Sequence, residues 1–326
     1  MAAETRFRDR AITFSNGARG EPVDVESADP ANYHAALCAP AALARRSIDA
    51  KLFLPPRAPA PCAAVIVVPG SLGVAPSHLA HAQALTDAGI AAFVLDPFAA
   101  RSVTSTVANQ TQYSFAASAY DVLAAYAALA RRAEIDAARI GAQGHSRGGS
   151  AVMTAATRRF ADAVVGAGRG LAAVYAAYPW CGHQFLDPAI GRTRLRAVIG
   201  DRDEWCSPQQ VQGHVQAIRL RGGAASLRIF AGAQHSFDRD TPLELVAEAS
   251  VAPGAPTAYL ADDGAFVHPL TGEADPALGD RELMIYGMKA GYGRRGARIG
   301  SEGTLAAEFR ADMLRFWREA LSASAR

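Results

Sequence analysis

The sequence predicts an α/β protein in which a mostly parallel central sheet is covered by helices on both faces. Short apolar runs alternate with longer helical segments between residues 63 and 230. Several runs, such as 63–68 and 90–95, are apolar throughout, which is typical of strands buried on both faces. Half of the 326 residues are apolar, which is enough for one large core. We therefore expect residues 1–326 to form a single domain.

Residues 1–46 precede the regular alternation and are interpreted as an N-terminal extension. A strand is predicted at 8–14, a turn at Asn16-Gly17 and a short helix between residues 30 and 44. Residues 47–54 alternate partly in polarity, which indicates an exposed or edge strand.

The core extends from residue 47 to residue 240 and contains the alternating elements. After its first strand, further strands are predicted at 63–68, 90–95, 139–142, 171–178, 195–199 and 226–230. Helices are predicted at 77–88, 114–133, 148–160 and between Pro208 and Gly222. Ser77 and Ser207 are predicted to be N-caps, and Gly89 suits a helix end.

The alternation stops after residue 240, and residues 241–303 are interpreted as an inserted tail segment. Thr257–Ala261 and Ala265–His268 flank Asp262-Asp263-Gly264, which predicts a hairpin. Residues 287–303 are rich in glycine and arginine and are predicted to be a loop. An amphipathic C-terminal helix at 304–322 follows, with these apolar residues along one side: Leu305, Phe309, Met313, Phe316 and Trp317.

Composition and charge argue against several classes of function. The 33 basic and 31 acidic residues nearly balance, so the sequence gives no case for nucleic-acid binding. No apolar run reaches the length of a membrane span, and the first ten residues carry no apolar signal segment. We expect a cytoplasmic protein with no membrane partner. Its four cysteines are interpreted as reduced thiols, although a disulfide between two of them stays open.

One short motif combines a tight turn with a nucleophilic side chain. Gly144-x-Ser146-x-Gly148 follows a predicted strand and precedes a predicted helix. Such a turn holds the serine in a strained backbone conformation with Oγ projecting into a cleft. Glycine is needed two residues before and after the serine, because larger side chains would collide with the turn. The motif and its context predict that Ser146 is a nucleophile.

A serine nucleophile needs a base, usually histidine, and the histidine needs an acid that fixes its tautomer. His235 follows the last predicted core strand, and Asp201 and Asp203 follow the strand before it. Parallel-sheet enzymes assemble their sites at this edge of the sheet. The order serine, acid, histidine therefore predicts a triad of Ser146, His235 and either Asp203 or Asp201.

The sequence resembles the α/β-hydrolases of the dienelactone-hydrolase-like branch over residues 47–240. Four stretches carry the resemblance: Val67–Gly73, Ile135–Gly149, Gly200–Asp203 and Gly232–Phe237. The resemblance implies the α/β-hydrolase fold, and its G-x-x-D pattern favours Asp203 over Asp201 as the acid. The dienelactone hydrolases that name the branch use a cysteine nucleophile, whereas this chain has Ser146. This departure favours a serine esterase over a dienelactone hydrolase proper.

The same resemblance implies an oxyanion hole made of two backbone N–H groups. One would come from Arg147, and the other from Ser71 or, as the second choice, Leu72. The Arg147 side chain would contact either an acidic substrate or a carboxylate of a neighbouring loop.

Other polar and aromatic residues have two interpretations each. Four residues in loops on the active edge would line the substrate pocket or simply pack beneath a loop: Trp180, Cys181, His183 and Trp205. His145 is expected to pack beneath the serine turn. His78 and His81 share a helix face without a carboxylate or cysteine cluster, so we interpret them as surface histidines and predict no metal site.

The leading hypothesis is a serine hydrolase that acts on a small carboxylic ester or lactone without a metal or organic cofactor. An acyltransferase or peptidase of the same fold and a non-catalytic binding protein are the alternatives, and a homodimer is left open. We also expect residues 241–303 to pack beside the active-site rim, because this segment begins only a few residues after His235.

Overall fold

The computed structural model describes residues 6–57 and 60–322. Residues 1–5, which begin the predicted N-terminal extension, and residues 58–59 and 323–326 lie outside the described residues. The central sheet has eight strands in the order β1-β2-β4-β3-β5-β6-β8-β9. Their bounds are β1 Gly20–Ala28, β2 Arg45–Phe53, β3 Cys62–Val68, β4 Ala91–Asp96, β5 Ile135–His145, β6 Ala173–Ala177, β8 Arg194–Gly200 and β9 Ala225–Phe230, with the short strand β7 His183–Phe185 outside this sheet.

Six of the eight strands run parallel to one another, and only β1 and β2 are antiparallel to their neighbours. Helices link the parallel strands and cover the sheet: α1 Tyr33–Cys38, α2 Pro76–Asp87, α3 Phe115–Leu129, α4 Arg147–Ala156, α5 Arg158–Val165 and α6 Pro208–Leu220. This arrangement confirms the predicted α/β class. All seven residues of β3 and all six of β4 are buried, as their apolar runs predicted.

The N-terminal part of the prediction is wrong in two places. Where a strand was predicted at 8–14, the structure has a 3₁₀ turn at Phe7–Asp9 and a single β-bridge at Thr13. The first strand of the structure is β1, which begins only at Gly20. Strand β2 is not an edge strand, because β1 and β4 flank it. The prediction failed because two polar residues of β2 are buried. Asp49 forms an ion pair with Arg6, and Lys51 Nζ donates to the Arg8 carbonyl at 2.6 Å.

Two predicted helix details also differ. Helix α2 begins at Pro76 after Ala75, so Ser77 is not its N-cap. The helix predicted at 148–160 is divided at Thr157, whose extended backbone (ψ 136°) separates α4 from α5. Ser207 caps α6 as predicted, and its side chain accepts the backbone N–H of Gln210.

The tail segment is more ordered than its composition predicts. It contains strands β10 Glu244–Val251, β11 Ala258–Leu260, β12 Phe266–Val267 and β13 Ala274–Asp275, helix α7 Asp280–Lys289 and strand β14 Arg294–Ile299. The predicted hairpin is formed by β11 and β12, which extend a small sheet beside β7. The loop predicted at 287–303 is wrong, because β14 pairs with β10 in a two-stranded ribbon.

The C-terminal helix α8, Leu305–Ala320, closes one face of the sheet. Phe309, Met313 and Trp317 on its predicted apolar side are fully buried. Trp317 lies directly over Gly141 of β5, where any Cβ would overlap the indole ring. Its Nε1 donates to Gln143 Oε1 at 2.9 Å. Within the described ranges, no helix is long and apolar enough to cross a membrane.

Candidate active site

Ser146 lies at the tight turn between β5 and α4. Its backbone has φ 55° and ψ −116°, a conformation that costs free energy for a residue with a side chain. The two glycines of the motif make the turn possible. A Cβ at Gly144 would overlap the carbonyl group of Gly148, and a Cβ at Gly148 would lie 2.5 Å from two carbonyl oxygens, those of Val68 and Pro69. The local geometry is the one that the motif predicted.

A continuous chain of hydrogen bonds joins three side chains at the carboxyl edge of the sheet. Ser146 Oγ lies 2.9 Å from His235 Nε2, and His235 Nδ1 lies 2.7 Å from Asp203 Oδ2. Asp203 follows β8 and His235 follows β9, so parallel neighbouring strands deliver both residues to one edge. The histidine and the aspartate are both buried.

The carboxylate of Asp203 is fixed on both of its oxygens. While Oδ2 contacts His235, Oδ1 accepts the backbone N–H groups of Trp205 and Cys206 at 2.8 and 2.9 Å. Asp201 has a different role, because its exposed Oδ1 accepts the N–H of Gly232 at 2.7 Å and caps that turn. The structure therefore brings Asp203, and not Asp201, to the histidine.

Two rings and one strand hold His235 in place. The indole of Trp205 stacks on the imidazole with centroids 5.2 Å apart, and Tyr178 meets it in an edge contact at 4.6 Å. The backbone of His235 forms a bridge with Ile299 of β14, and its carbonyl accepts the N–H of Gly300 at 3.0 Å. The tail segment therefore contacts His235 directly.

The cleft above Ser146 is narrow. Its cavity volume is about 20 Å³, enough for roughly one water molecule. Residues from distant parts of the chain line it: Gly70–Gly73, His78, Val107, His145-Ser146, Tyr178, Trp205, His235-Ser236, Arg239 and Ile299.

The family follows from a match over the part of the chain that holds this site. The model of the dienelactone hydrolase family matches residues 48–253, well over half of the chain. The chain belongs to the dienelactone hydrolase family. A search of curated protein sequences gave no significant match.

Solved structures of this family share the fold at low sequence identity. The protein m3DLH has a TM-score of 0.58 and 16% identity, with 93% of this chain and 99% of that chain covered. A dienelactone hydrolase-like promiscuous phosphotriesterase from metagenomic libraries has a TM-score of 0.54 and 15% identity, with coverages of 94% and 100%. These similarities show that the family fold extends over nearly the whole chain.

In this dienelactone hydrolase family member, the turn after β3 approaches Ser146 closely. A Cβ at Gly70 would lie 3.2 Å from the Cβ of Ser146, so only glycine fits without displacement. Ser71 and Leu72 follow in the turn and line the cleft. The Ser71 hydroxyl donates to Gln110 Oε1 at 3.1 Å, and its carbonyl accepts the N–H of Thr106. These bonds fix the turn beside Ser146.

The Arg147 side chain contacts neither a carboxylate nor the cleft. Its guanidinium donates to the carbonyl oxygens of Gln110 and Tyr113 at 2.8 and 2.6 Å and to the Ser118 hydroxyl. The planar group also lies over the Phe115 ring at 4.0 Å. The side chain therefore anchors the 110–115 segment through hydrogen bonds and not through the expected salt bridge, while its contact with an acidic substrate stays a prediction.

Three of the four expected pocket residues lie away from the cleft. Trp180 packs against Phe115 and His183, and His183 packs against Phe266. The Cys181 thiol contacts the Met153 sulfur at 3.7 Å. None of the three lines the described cleft, whereas Trp205 does. Packing, and not substrate contact, is the role that the structure shows for Trp180, Cys181 and His183.

The two histidines predicted to lie on the surface are buried, which corrects that interpretation. His81 Nε2 contacts Asp238 Oδ2 at 2.8 Å, and His78 packs edge-on against His145. Tyr178 donates its hydroxyl proton to the other oxygen of Asp238 at 2.6 Å. Loss of water raises the pKa of buried carboxyls, but the bonds from His81 and Tyr178 and the nearby imidazoles hold the pKa of Asp238 well below its usual value.

Two groups of side chains have the residue types of metal ligands. They are His81, His145 and Asp238, and Asp203, Cys206 and His235, with ligand atoms within 4.8 Å of one another. The rings of His81 and His145 are stacked at 11°, so their in-plane lone pairs do not converge on one point. The second group is occupied by the hydrogen bonds of His235 and Asp203. Neither arrangement favours a metal centre.

Sequence reasoning missed the polar residues His78 and Arg239 in the cleft. Arg239 is the first cation after His235 and stands four residues after it, a signal that was visible in the sequence. Its Nε is buried without a hydrogen-bond partner among the described residues. Helical spacing placed His78 and His81 on one face but did not reveal that this face is covered.

Proposed function

We propose that this protein is a serine hydrolase that cleaves a small carboxylic ester or lactone. The observation that carries the proposal is the chain from Ser146 Oγ through His235 to Asp203, with distances of 2.9 and 2.7 Å at a strained turn. A serine hydroxyl is a weak nucleophile at neutral pH, and an imidazole positioned at this distance can accept its proton.

The reaction proceeds in two halves. Ser146 Oγ attacks the carbonyl carbon while His235 Nε2 takes its proton, and the tetrahedral intermediate expels the alcohol oxygen, which receives that proton. Water then attacks the acyl-enzyme, gives one proton to His235 and releases the acid as Ser146 recovers its hydrogen. Asp203 keeps the His235 proton on Nδ1 and stabilises the imidazolium, and no cofactor takes part.

Two backbone N–H groups are proposed to stabilise the oxyanion. The Arg147 N–H is at the first position of α4, where helix N–H groups point outward and favour negative charge. The second donor is Ser71, with Leu72 as the second choice, because their turn lies beside Ser146 and lines the same cleft. These N–H groups would stabilise the negative charge that develops on the carbonyl oxygen when Ser146 attacks.

The cleft favours a substrate that is small and carries a negative charge. Arg239 lines it, and the buried Nε of this cation lacks a partner among the described residues. Its Nε is enclosed, so a substrate carboxylate would interact with the outer part of the guanidinium, whose positive charge favours an anion in the cleft. We therefore propose an ester or lactone with an anionic group near the scissile bond.

A labelling experiment tests the nucleophile. The wild-type protein should react with a fluorophosphonate probe, and Ser146→Ala should not, while Ser226→Ala at the opposite end of the sheet should label like the wild type. Ser146→Ala should lower kcat on any cleaved ester by a factor of about 10⁴ to 10⁶. Equal labelling of Ser146→Ala would contradict the assignment, and absence of labelling in the wild type together with absence of ester turnover would favour a binding protein.

A substrate screen tests the chemistry and the charge preference. Esters of graded acyl length and several lactones should be compared, with and without a free carboxylate, and with alcohols added to detect acyl transfer. Arg239→Gln should lower kcat/KM for anionic esters selectively, whereas Arg202→Gln, an exposed control on the same edge, should not. Equal losses on neutral and anionic esters would contradict the charge preference.

A further inference from the structure

His78 is a polar side chain in the cleft to which the proposed mechanism gives no role. It is the third residue of α2 and is only 2% exposed, yet its ring lines the cleft together with Ser71 and Ser146. The ring packs edge-on against His145, the residue before the nucleophile, with centroids 4.7 Å apart at 90°. This contact fixes the plane of the imidazole close to the reacting serine.

One nitrogen of the ring is committed to the fold. Nδ1 of His78 accepts the backbone N–H of Ala75, the residue before α2, at 2.9 Å. Burial lowers the pKa of His78 to about 3, and the nearby Arg239 and His81 also oppose protonation. The imidazole is therefore neutral at pH 7. Since Nδ1 acts as an acceptor, the single ring proton is carried by Nε2.

The Nε2–H group has no protein acceptor within residues 6–57 and 60–322. It is also not among the fully enclosed side-chain atoms that lack a partner there, so it is accessible. Ala75 binds Nδ1 and His145 packs against the ring, so we assign the remaining open direction, that of Nε2–H, to the cleft that His78 lines. In a nearly closed site, a donor without a partner contributes most to the binding free energy when a bound group accepts its hydrogen bond.

We infer that His78 Nε2–H donates a hydrogen bond to the substrate and selects acyl groups with an oxygen acceptor on the carbon next to the scissile carbonyl. The inference rests on the proposed ester hydrolysis at Ser146. His78 and Ser146 line the same small cleft, so we place the acceptor on the carbon next to the carbonyl that Ser146 attacks. A hydroxyl, a carbonyl or a carboxylate oxygen fits, whereas an ammonium group offers no lone pair.

Two substitutions separate the donor from the structural role of the ring. In His78→Asn, Oδ1 can still accept the Ala75 N–H, but the side chain no longer reaches the position of Nε2. In His78→Gln, the amide reaches that position and supplies a donor. The measured quantity is kcat/KM for ethyl lactate divided by kcat/KM for ethyl propionate, two esters that differ only in the α-hydroxyl. The ratio removes general effects of a substitution on the catalytic groups.

We expect His78→Asn to lower this ratio about 3- to 10-fold, which corresponds to the loss of one neutral hydrogen bond. His78→Gln should retain most of it, and Gln83→Ala on the outer part of α2 should leave it unchanged. An unchanged ratio in His78→Asn, or an equal fall in His78→Gln, would overturn the inference.

Equilibrium binding keeps this test independent of turnover. Binding of lactate and propionate can be followed by NMR in the wild type and in His78→Asn, whether or not any ester is cleaved. We expect lactate to bind more tightly than propionate in the wild type and to lose that advantage in the variant. Equal affinities of the two acids in the wild type would contradict the donor role, whereas failure of ester turnover would contradict the proposed function.

Discussion

The indole ring of Trp205 lies parallel to the imidazole of His235, with 15° between the planes and 5.2 Å between the centroids. The same indole donates its Nε1–H to the Arg298 carbonyl of β14 at 2.8 Å. Arg298 in turn contacts Glu204, the residue beside Asp203, through its N–H and its guanidinium. One aromatic side chain thus joins the Asp203 loop, the His235 ring and the tail ribbon.

This relationship predicts different effects for two Trp205 variants. Trp205→Phe keeps an aromatic face on His235 but loses the bond to Arg298, so it should cost about 1 kcal/mol of stability with a small change in kcat. Trp205→Leu also removes the stacked face and should lower kcat further at similar KM. Thermal unfolding and steady-state kinetics measure the two effects. Equal kcat in both variants would show that stacking does not position the histidine.

The two aspartates after β8 should differ sharply in their importance. Asp203→Asn removes the carboxylate that sets the tautomer of His235 and should lower kcat by a factor of about 10⁴. Asp201→Asn retains an oxygen that can accept the Gly232 N–H, so kcat should change little. Steady-state kinetics with one ester measure both variants. The opposite ranking would assign the acid to Asp201.

The tail ribbon should influence which acyl groups enter the cleft. Ile299→Ala removes a buried side chain from the cleft lining and should raise kcat/KM for hexanoyl esters relative to acetyl esters several-fold. A buried Ile→Ala change also costs about 2–5 kcal/mol of stability, so assays belong well below Tm. Leu245→Ala, exposed on the same ribbon, is the matched control. Identical acyl profiles for both variants would exclude a role of Ile299 in the pocket.

Asp280 should make the stability of the protein depend on pH. Burial raises the pKa of this carboxyl to about 6, although one oxygen accepts the Phe115 N–H at 2.7 Å. In the unfolded chain it titrates near pH ~4, so the folded state binds the proton more tightly. Its stabilising contribution is therefore complete below pH ~4 and is lost as the pH rises through about 6.

The variant Asp280→Asn cannot ionise but retains an acceptor for the Phe115 N–H. Two pKa units correspond to about 3 kcal/mol. The free energy of unfolding of the variant, relative to that of the wild type, should therefore rise by about this amount between pH 4 and pH 7.5. Urea titrations at several pH values measure the difference. Parallel stability curves would show that Asp280 is not the responsible group.

The core of the fold and the central site residues were predictable because their patterns are local. The apolar runs of β3 and β4 specify buried strands, and the spacing of Gly144 and Gly148 specifies the turn at Ser146. His235 could be placed because it follows a strand of the parallel sheet; the same argument left Asp201 and Asp203 open, and only the family resemblance favoured Asp203. The hydrogen bond between His235 and Asp203 could not be predicted from the sequence and is seen only in the structure.

The errors concern features that depend on distant partners. Asp49 and Lys51 are polar, and their burial in β2 depends on contacts with the distant residues Arg6 and Arg8, while pairing with β1 makes the strand internal. The Gly- and Arg-rich residues of β14 become a strand because β10 lies beside them, with a register shift opposite Gly296 at φ 84°. Helical spacing placed His78 on a face of α2 but could not show what covers that face.

The bridge between His235 and Ile299 bears on the order in which the protein is made. Ser146, Asp203 and His235 all leave the ribosome before β14 is synthesised. A nascent chain that ends after β9 and the histidine loop contains all three side chains but lacks the strand that bonds to His235 and to Trp205. We therefore expect the hydrogen-bonded chain to reach its final geometry, and the proposed ester cleavage to begin, only after β14 is in place.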